Sequence, residues 1–352
     1  MTTRTRPTAL PATPPTVTVV IPHYNYGLYL PSAVASALDQ PGVDVDVIIV
    51  DDASTDGSLA IARSIAASDD RITLVEHQTN LRHIGTYNDG LSRATGTYVV
   101  LLSADDALAP HSLARSAALM EANPGVGLVY GHARMIGDAL PFTAETQSSW
   151  RGATETWTLW NGHEWLHQQA RRGRNPIFNP EVMMRREVLE RIGGYDARHP
   201  HSADLYLWLR AAARADVGRV NGAVQAYYRV HDGNMHTTQF GGLLDDYRAV
   251  RSTFDSFFEE DGHLLADARE LHAHARRAIA REAVRRSALL AGAGSAASTD
   301  ALLRFAEETD PDDVWPRSAY RAAHRRGLGR PLKAVEQLRW KVRHHRDLRW
   351  GT

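Results

Sequence analysis

Two pairs of adjacent carboxylates follow buried-strand patterns in the first third of the chain. Asp51 and Asp52 come after the apolar run VDVDVIIV, and Asp105 and Asp106 come after YVVLL. A turn or a helix cap accounts for one such residue, because Asp accepts hydrogen bonds from free backbone N–H groups. The second carboxylate of each pair repels the first and loses hydration, so for Asp51 and Asp52 ligand binding stays open beside a turn or cap. Mg²⁺ and Mn²⁺ bind carboxylates together with water and phosphate oxygens, so a metal site is the chemistry that Asp105 and Asp106 would supply.

Strand and helix patterns alternate from Thr16 onward. The runs TVTVVI, VDVDVIIV, RITLVEH, TYVVLL and GVGLVYG read as strands, with helix-forming segments between them. This alternation predicts an α/β fold with a mostly parallel sheet flanked by helices, because parallel neighbours need crossover connections. Ligands bind such sheets beyond the carboxyl ends of the strands. Three polar clusters, PHYN, DDASTDG and SADD, fall at three of these ends.

The composition excludes several classes of protein. Lys and Arg total 40 against 41 Asp and Glu among 352 residues, which argues against a dedicated nucleic-acid binder. The absence of cysteine excludes disulfides, thiolate metal sites and a Cys nucleophile. No window approaches the apolar length of a membrane-spanning helix, so the expected location is the cytoplasm.

Changes in composition predict the domain organisation. The Thr-, Pro- and Ala-rich residues 1–15 are expected to form a disordered leader, followed by the α/β domain over 16–235. We divide that domain into halves at residues 16–131 and 132–235. Few strand formers follow Asn234, which predicts a helical C-terminal region over 236–352.

Two further segments are open to two interpretations each. The tryptophans at 150, 157, 160 and 165 favour core packing, with stacking on a sugar as the alternative. The basic stretch from Arg325 to Trp350 favours a docked terminal helix, with weak contact to the inner membrane face as the alternative.

The order and spacing of the polar clusters resemble family 2 glycosyltransferases, which have the GT-A fold, a Rossmann-like sheet. The motifs are VVIPHYNYG, VIIVDDASTDGS, NLRHIG and LLSADDAL, with RIGGYD, SADLYLWLR and YYRVHDGNM further on. The resemblance is close over residues 17–131 and looser to residue 236. It implies an inverting transfer of a sugar from a UDP- or dTDP-sugar to an acceptor hydroxyl or amine, with Mn²⁺ or Mg²⁺ as cofactor. The acceptor stays open among sugars, lipid-linked molecules and small molecules, and no motif predicts the oligomeric state.

By this resemblance, one group of residues binds the donor nucleoside. Pro22, Tyr24 and Asn25 would lie against the uracil or thymine, with Tyr24 as a stacking face. Asp52 would hydrogen-bond the base, and Arg82 would lie near the nucleotide.

A second group is implied in diphosphate binding and catalysis. Asp105 matches the metal-binding carboxylate of the Asp-x-Asp motif, Ser103 stands where Asp is more usual, and Ala104 lies between them. His231 occupies a position near the donor diphosphate and is a candidate second metal ligand. Asp204, directly before an apolar helix pattern, matches the general base, although a helix cap alone also explains it.

Other classes fit less well. The first strand is followed by PHYNYG rather than G-x-G-x-x-G, and no Gly-rich phosphate loop with Lys follows any strand, which argues against an NAD-linked enzyme or a nucleotidyltransferase. The remaining alternative is a degenerate transferase domain that acts as a nucleotide-binding or assembly module, which Ser103 favours.

Overall fold

The structure is a computed structural model that describes residues 2–138, 154–234, 242–291 and 296–312. The strands in these ranges are β1 Thr3–Thr5, β2 Thr16–His23, β3 Asp44–Asp51, β4 Ile72–Glu76, β5 Tyr98–Leu101, β6 Ala107–Leu108, β7 Val126–Tyr130, β8 Ala133–Ile136, β9 Thr156–Trp160, β10 Met183–Arg185, β11 Asp216–Asn221 and β12 Ala226–Arg229. The α-helices are α1 Leu30–Leu38, α2 Ser58–Ala66, α3 Arg82–Ser92, α4 Ser112–Ala122, α5 Gly162–Arg172, α6 Arg186–Ile192, α7 Ala203–Ala212, α8 Leu243–Glu260, α9 Ala268–Ala291 and α10 Ala296–Thr309.

Nine strands form the large sheet in the order β1-β9-β11-β7-β10-β5-β2-β3-β4. β5, β2, β3 and β4 are parallel neighbours, and β11 also runs parallel to β7. β10 is antiparallel to both β5 and β7, and β9 is antiparallel to β11 and β1. The predicted α/β fold with a mostly parallel sheet flanked by helices is confirmed, and the parallel half of the sheet carries the predicted site.

Helices cover both faces of this parallel half because its strands are apolar on both sides. On one face, Val17, Val19 and Ile21 of β2 belong to the buried cluster that contains residues of α1 and α4. On the other face, Gly90 of α3 lies so close that a Cβ atom there would come within 2.4 Å of Val20 Cγ1. The missing side chain at Gly90 therefore allows α3 to approach β2 closely.

A second, smaller sheet has the strand order β6-β12-β8. β12 pairs antiparallel with β6 and parallel with β8. This sheet brings residues 226–229, near the end of the α/β domain, alongside the segment that follows Asp105 and Asp106. The small sheet therefore brings β12 beside the predicted diphosphate-binding residues.

The N-terminal segment differs from the expected disordered leader. Thr3, Arg4 and Thr5 form an antiparallel edge strand with β9, in register with Leu159, Thr158 and Trp157. An edge strand offers unpaired backbone N–H and C=O groups, and β1 satisfies those groups on β9. The tryptophans of β9 and α5, Trp157, Trp160 and Trp165, are buried, which confirms core packing for them.

The chain divides into two compact units. The first comprises residues 1–162, 176–200 and 210–234, and the second comprises 163–175, 201–209 and 235–352. Besides residues 235–352, the second unit includes most of α5 and most of α7. Its described helices after residue 235 are α8, α9 and α10.

The basic stretch 325–350 and Trp150 lie outside the described residues. Within the described part of the chain, no helix has the length and apolar character needed to cross a bilayer.

Candidate functional site

The carboxyl ends of β2, β3 and β5 lie at one edge of the large sheet. His23, the last residue of β2, pairs with Asp51, the last residue of β3. On the other side of β2, the Leu102 N–H donates to the Val20 carbonyl oxygen at 2.9 Å. The polar segments after these three strands therefore start side by side, as parallel pairing requires.

The turn after β2 is fixed to the loop after β3 by Asn25. Asn25 has a left-handed φ of 57°, and its Oδ1 accepts a 2.8 Å hydrogen bond from the Thr55 N–H. The Asn25 N–H donates to Ser54 Oγ at 3.0 Å. Pro22 is half-buried near the end of β2, and Tyr24 is 41% exposed in the turn.

Asp52 lies buried in the next loop and is held by two contacts on one oxygen. Its Oδ1 accepts a 2.7 Å hydrogen bond from the Leu81 N–H and lies 2.9 Å from His77 Nδ1. The other nitrogen of His77, Nε2, lies 3.1 Å from Asp89 Oδ2. Although burial opposes the change, hydrogen bonds to these two carboxylates raise the pKa of His77. The bridging role of His77 was not predicted from the sequence, where its one signal is its position at the end of RITLVEH.

Arg82 lies beside this network at the start of α3. It is exposed and has a left-handed φ of 62°. Its N–H donates to Asn80 Oδ1 at 3.0 Å, and Asn80 Nδ2 donates to the Asp52 carbonyl oxygen at 3.1 Å. Asn80 thus connects the backbone at Arg82 to the Asp52 loop.

Asp105 and His231 come together although they are far apart in the sequence. Asp105 Oδ2 lies 3.1 Å from His231 Nε2, and Asn234 Nδ2 donates to the same oxygen at 3.3 Å. The side chains of Asp105 and His231 are 12% and 6% exposed. Ser103 is half-buried and Ala104 is buried in the loop that begins this segment.

Asp106 and Arg229 form a buried pair beneath Asp105. The Arg229 N–H donates to Asp106 Oδ1 at 2.9 Å, and Arg229 Nε donates to the Asp105 carbonyl oxygen at 2.8 Å. Burial and the nearby Asp105 charge raise the pKa of Asp106. Arg229 is a charged residue inside the apolar strand AYYRV, and this contrast is its signal in the sequence. Its role beside Asp106 was not predicted.

Two tyrosines from the segment after β2 pack against His231. The rings of Tyr29 and His231 stack with centroids 5.0 Å apart, and the Tyr26 hydroxyl donates to the Gly233 carbonyl oxygen at 2.9 Å. Burial and a hydrogen bond to Asp138 raise the pKa of Tyr29 to about 12. These contacts fix the position of the His231 imidazole relative to the sheet edge.

The first compact unit contains all but one of the predicted site residues. Asp204 belongs instead to the second unit, where it lies half-buried in the first turn of α7. The other predicted site residues lie at or after the carboxyl ends of strands of the first unit. They are Pro22, Tyr24, Asn25, Asp52, Arg82, Ser103, Ala104, Asp105 and His231.

The fold is that of an α/β protein with polar side chains grouped at the carboxyl edge of its sheet, where ligands bind in open α/β folds. The family model described as Glycosyl transferase family 2 matches residues 18–193, half of the chain. The chain therefore belongs to glycosyl transferase family 2.

Individual relatives agree with this assignment. A glycosyltransferase from Nostoc sp. is 30% identical over 233 residues, which cover 62% of this chain and 66% of the relative. The succinoglycan biosynthesis protein ExoO from Rhizobium meliloti is 37% identical over 101 residues, which cover 29% of this chain and 28% of ExoO. The chain thus spans less than two thirds of the length of these relatives.

A solved structure shares the fold. Residues 1–349 of TarS from S. aureus, crystallised with UDP-GlcNAc, match with a TM-score of 0.55 at 17% identity. The match covers 89% of this chain and 92% of the TarS chain.

Proposed function

We propose that the protein is a metal-dependent, inverting glycosyltransferase that moves a sugar from a UDP- or dTDP-sugar to an acceptor hydroxyl or amine. The observation that carries the proposal is the pair Asp105 and His231, whose Oδ2 and Nε2 atoms lie 3.1 Å apart at the sheet edge. A carboxylate and an imidazole at that position suit a divalent ion that binds a diphosphate. The family assignment supports the same chemistry.

The turn after β2 supports a nucleoside at the other end of the site. The exposed Tyr24 ring offers a flat face for a pyrimidine, and the bonds from Asn25 to residues 54 and 55 keep that turn in place. The described contacts of Asp52 both use Oδ1. We propose that Asp52 Oδ2 accepts a hydrogen bond from the base N–H.

The residues present fit a Mn²⁺ or Mg²⁺ ion. Asp105 would supply a carboxylate oxygen and His231 would supply Nε2, and both side chains retain some exposure to solvent. When bound, such an ion neutralises the charge that builds on the departing nucleoside diphosphate. Arg229 supports this arrangement because its Nε holds the Asp105 backbone carbonyl, while Tyr29 holds the His231 ring.

We assign the general base to Asp204. Its carboxylate would take the proton from the acceptor as the acceptor oxygen or nitrogen attacks the anomeric carbon, opposite the leaving nucleoside diphosphate. The bond to the diphosphate oxygen breaks as the new bond forms, so the configuration at the anomeric carbon inverts. Its place in the first turn of α7 supports this role, because the helix start holds the carboxylate in a defined position.

Calorimetric titration tests the donor site. UDP and dTDP are titrated into the protein with Mn²⁺, then with EDTA, and again into Asp105→Ala. We expect one nucleotide to bind with Mn²⁺, and EDTA or Asp105→Ala to weaken that binding by roughly 100-fold, because the ion would neutralise the charge of the phosphates at Asp105. If neither nucleotide binds under any condition, the proposed donor class is wrong.

The base is tested by Mn²⁺-dependent hydrolysis of a panel of UDP- and dTDP-sugars, with water as acceptor. Asp204→Asn should retain nucleotide binding and lose about 10²- to 10⁴-fold in turnover. Asp245→Asn is the matched control, since Asp245 also lies in the first turn of a helix of the second unit. Unchanged turnover in Asp204→Asn removes the assignment, and binding with no hydrolysis by the unmodified protein would favour a nucleotide-binding module instead.

We further propose a surface polysaccharide as the product, made on the cytoplasmic side of the membrane. The similarity to a succinoglycan biosynthesis protein supports this product class. Loss of a surface glycan from a strain that carries Asp204→Asn at the chromosomal locus would test it, and an unchanged surface glycan profile would contradict it.

A further inference from the structure

A second group of metal-ligating residues lies in the other compact unit. Residues 163–167 read His-Glu-Trp-Leu-His and fall on α5. The pattern H-E-x-x-H on a helix places its two histidines one turn apart on the same face, where both can bind one metal ion. Trp165 and Leu166 are buried, whereas the side chains of His163 and His167 are 45% and 28% exposed.

A carboxylate completes this group. Asp267 directly precedes α9, and its Oδ1 lies 2.7 Å from His163 Nε2 while its Oδ2 lies 2.8 Å from His167 Nε2. One ligand atom from each of the three residues falls within 4.8 Å of the others. The three side chains therefore converge on one point, as a metal site requires.

We propose that His163, His167 and Asp267 bind a divalent transition-metal ion, with Zn²⁺ as the preferred ion. Two imidazoles and one carboxylate form a donor set that Zn²⁺ favours, whereas Mg²⁺ and Ca²⁺ favour sites in which oxygen ligands predominate. The exposed side of His163 leaves room for water as a fourth ligand. This site shares no residue with the Asp105 and His231 pair, and the proposal does not depend on the proposed sugar transfer.

The two helices that carry the ligands are already held together at a second point. Gly173, which ends α5 with a φ of +58°, lies so close to α9 that a Cβ atom there would come within 2.7 Å of the Ile279 N atom. Helix α5 rises about 9 Å from His167, and about 15 Å from His163, to Gly173. Helix α9 rises about 16 Å from Asp267 to Ala278, the residue before Ile279. The ligands therefore converge at one end of a helix pair whose other end is fixed by close packing.

The ion would fasten α5 to the start of α9. Ion binding rather than peptide hydrolysis is proposed because Oε2 of Glu164, the residue at the general-base position of the pattern, is fully buried. An ion in this site stabilises the folded protein by mass action, since the unfolded chain does not hold the three ligands together.

The test uses the full chain without a histidine tag, stripped with EDTA and dialysed, in the Asp105→Ala background so that the other site does not contribute. Zn²⁺ is added in a calorimeter, and bound zinc is measured by elemental analysis. We expect one Zn²⁺ per chain, visible absorption bands when Co²⁺ replaces Zn²⁺, and a rise of about 5 °C in Tm at saturating Zn²⁺.

His167→Ala and Asp267→Asn, each in the same background, should lower the Zn²⁺ affinity by more than roughly 100-fold, since even loss of an outer partner costs about 10- to 100-fold. His263→Ala is the control, because His263 is an exposed histidine of the same unit whose Nδ1 lies 2.9 Å from the Glu260 carbonyl oxygen. Circular dichroism without metal checks that each variant folds.

Absence of saturable Zn²⁺ binding in the Asp105→Ala protein would overturn the proposal. Binding that His167→Ala and Asp267→Asn both leave unchanged would overturn it as well. In either case the three residues would have a structural role only, as hydrogen bonds that join α5 to the start of α9. Neither result bears on nucleotide binding at Asp105, which is measured separately.

Discussion

The two ends of the proposed donor site are built by different means. The base end, residues 22–25, 52–57 and 80–82, is a set of short loops joined by hydrogen bonds between neutral amides and hydroxyls, with Asp52 as its buried charge. The phosphate end, residues 103–106 and 229–234, concentrates two carboxylates, a guanidinium and an imidazole in a small buried volume. The base end offers shape and hydrogen bonds, and the phosphate end offers charge.

Backbone conformation differs between the two ends as well. Three residues of the base end, Asn25, Ala53 and Arg82, have left-handed φ angles of 57°, 60° and 62°. Each costs on the order of 1 kcal/mol, and the surrounding hydrogen bonds must offset that cost. Among the described residues of the phosphate end, no non-glycine residue has a positive φ. Local turn geometry thus fixes the base end, whereas side-chain contacts of Arg229, His231 and Asn234 fix the phosphate end.

Arg229→Met should give the largest effect if the guanidinium holds the phosphate end. The substitution removes the guanidinium bonds to the Asp105 and Gly137 carbonyl oxygens, at 2.8 and 3.1 Å, which should lower the free energy of unfolding by about 3–5 kcal/mol. Urea denaturation measures the change. Arg229→Lys, which can still donate to one of these carbonyl oxygens, should recover part of the loss. A loss below about 1 kcal/mol in Arg229→Met would contradict this account.

Glu181→Gln tests a buried acid next to the phosphate end. Glu181 lies in the 3-10 turn Asn179–Glu181, whose Asn179 Nδ2 donates to the Leu101 carbonyl oxygen at 3.4 Å. Burial raises the pKa of Glu181 to about 8, from 4.5. Between these pH values the folded protein keeps a proton that the unfolded chain releases, so its stability falls as the pH rises.

The stabilisation by protonated Glu181 is therefore fully present below about pH 4.5 and is lost as the pH passes 8. Relative to Glu181→Gln, the unmodified protein should lose on the order of 3 kcal/mol across this window, as followed by urea denaturation at several pH values. Glu187→Gln is the control, because its side chain is 66% exposed. Parallel pH curves for the unmodified protein and Glu181→Gln would show that the buried acid does not titrate in this range.

Asp52→Asn separates the two ends functionally. It removes the charge of the base end, so UDP or dTDP affinity should fall about 10-fold, as expected for a hydrogen bond to a charged group. The remaining binding should still require Mn²⁺, in contrast to Asp105→Ala, which loses the metal dependence. Calorimetry with and without EDTA measures both properties. If Asp52→Asn abolishes metal dependence as well, the two ends do not act separately.

Asn25→Gly and Asn25→Ala give the smallest effects and test turn geometry alone. Glycine keeps the left-handed conformation and loses the side-chain bond to Thr55, which should lower stability by about 1 kcal/mol. Alanine also strains the backbone and should cost about 1 kcal/mol more. Thermal unfolding compares the two. Equal stability of both variants would mean that the positive φ does not constrain this turn.

The sequence was sufficient for elements that depend on local pattern. The β-branched runs predicted the strands of the parallel half, and the carboxyl-edge rule predicted that segments 22–25, 52–57 and 103–106 start side by side. The short strand at Thr3–Thr5 was missed because its partner, β9, lies more than 150 residues away and its three residues carry no periodicity.

Long-range partners explain the other omissions. Arg229 follows Asp106 by 123 residues, and no local pattern connects the two. His77 bridges Asp52 and Asp89 only because β4 and α3 meet at the sheet edge. The HEWLH pattern was interpreted only through its tryptophan, Trp165. The third ligand of the proposed metal site, Asp267, lies about 100 residues further along the chain.

The 123-residue separation of Asp106 and Arg229 also sets an order of assembly. Chains fold from the N-terminus as they leave the ribosome, and contacts distant in sequence form late because closing a long loop costs entropy. The base end needs residues up to about 82, whereas the contact of Asp105 with His231 cannot form until residue 231 has been synthesised and β12 has joined β6 and β8. The proposed metal site is therefore completed late in synthesis, after the proposed nucleoside-binding loops, and a shorter nascent chain lacks the pair needed to act on a donor sugar in the proposed reaction.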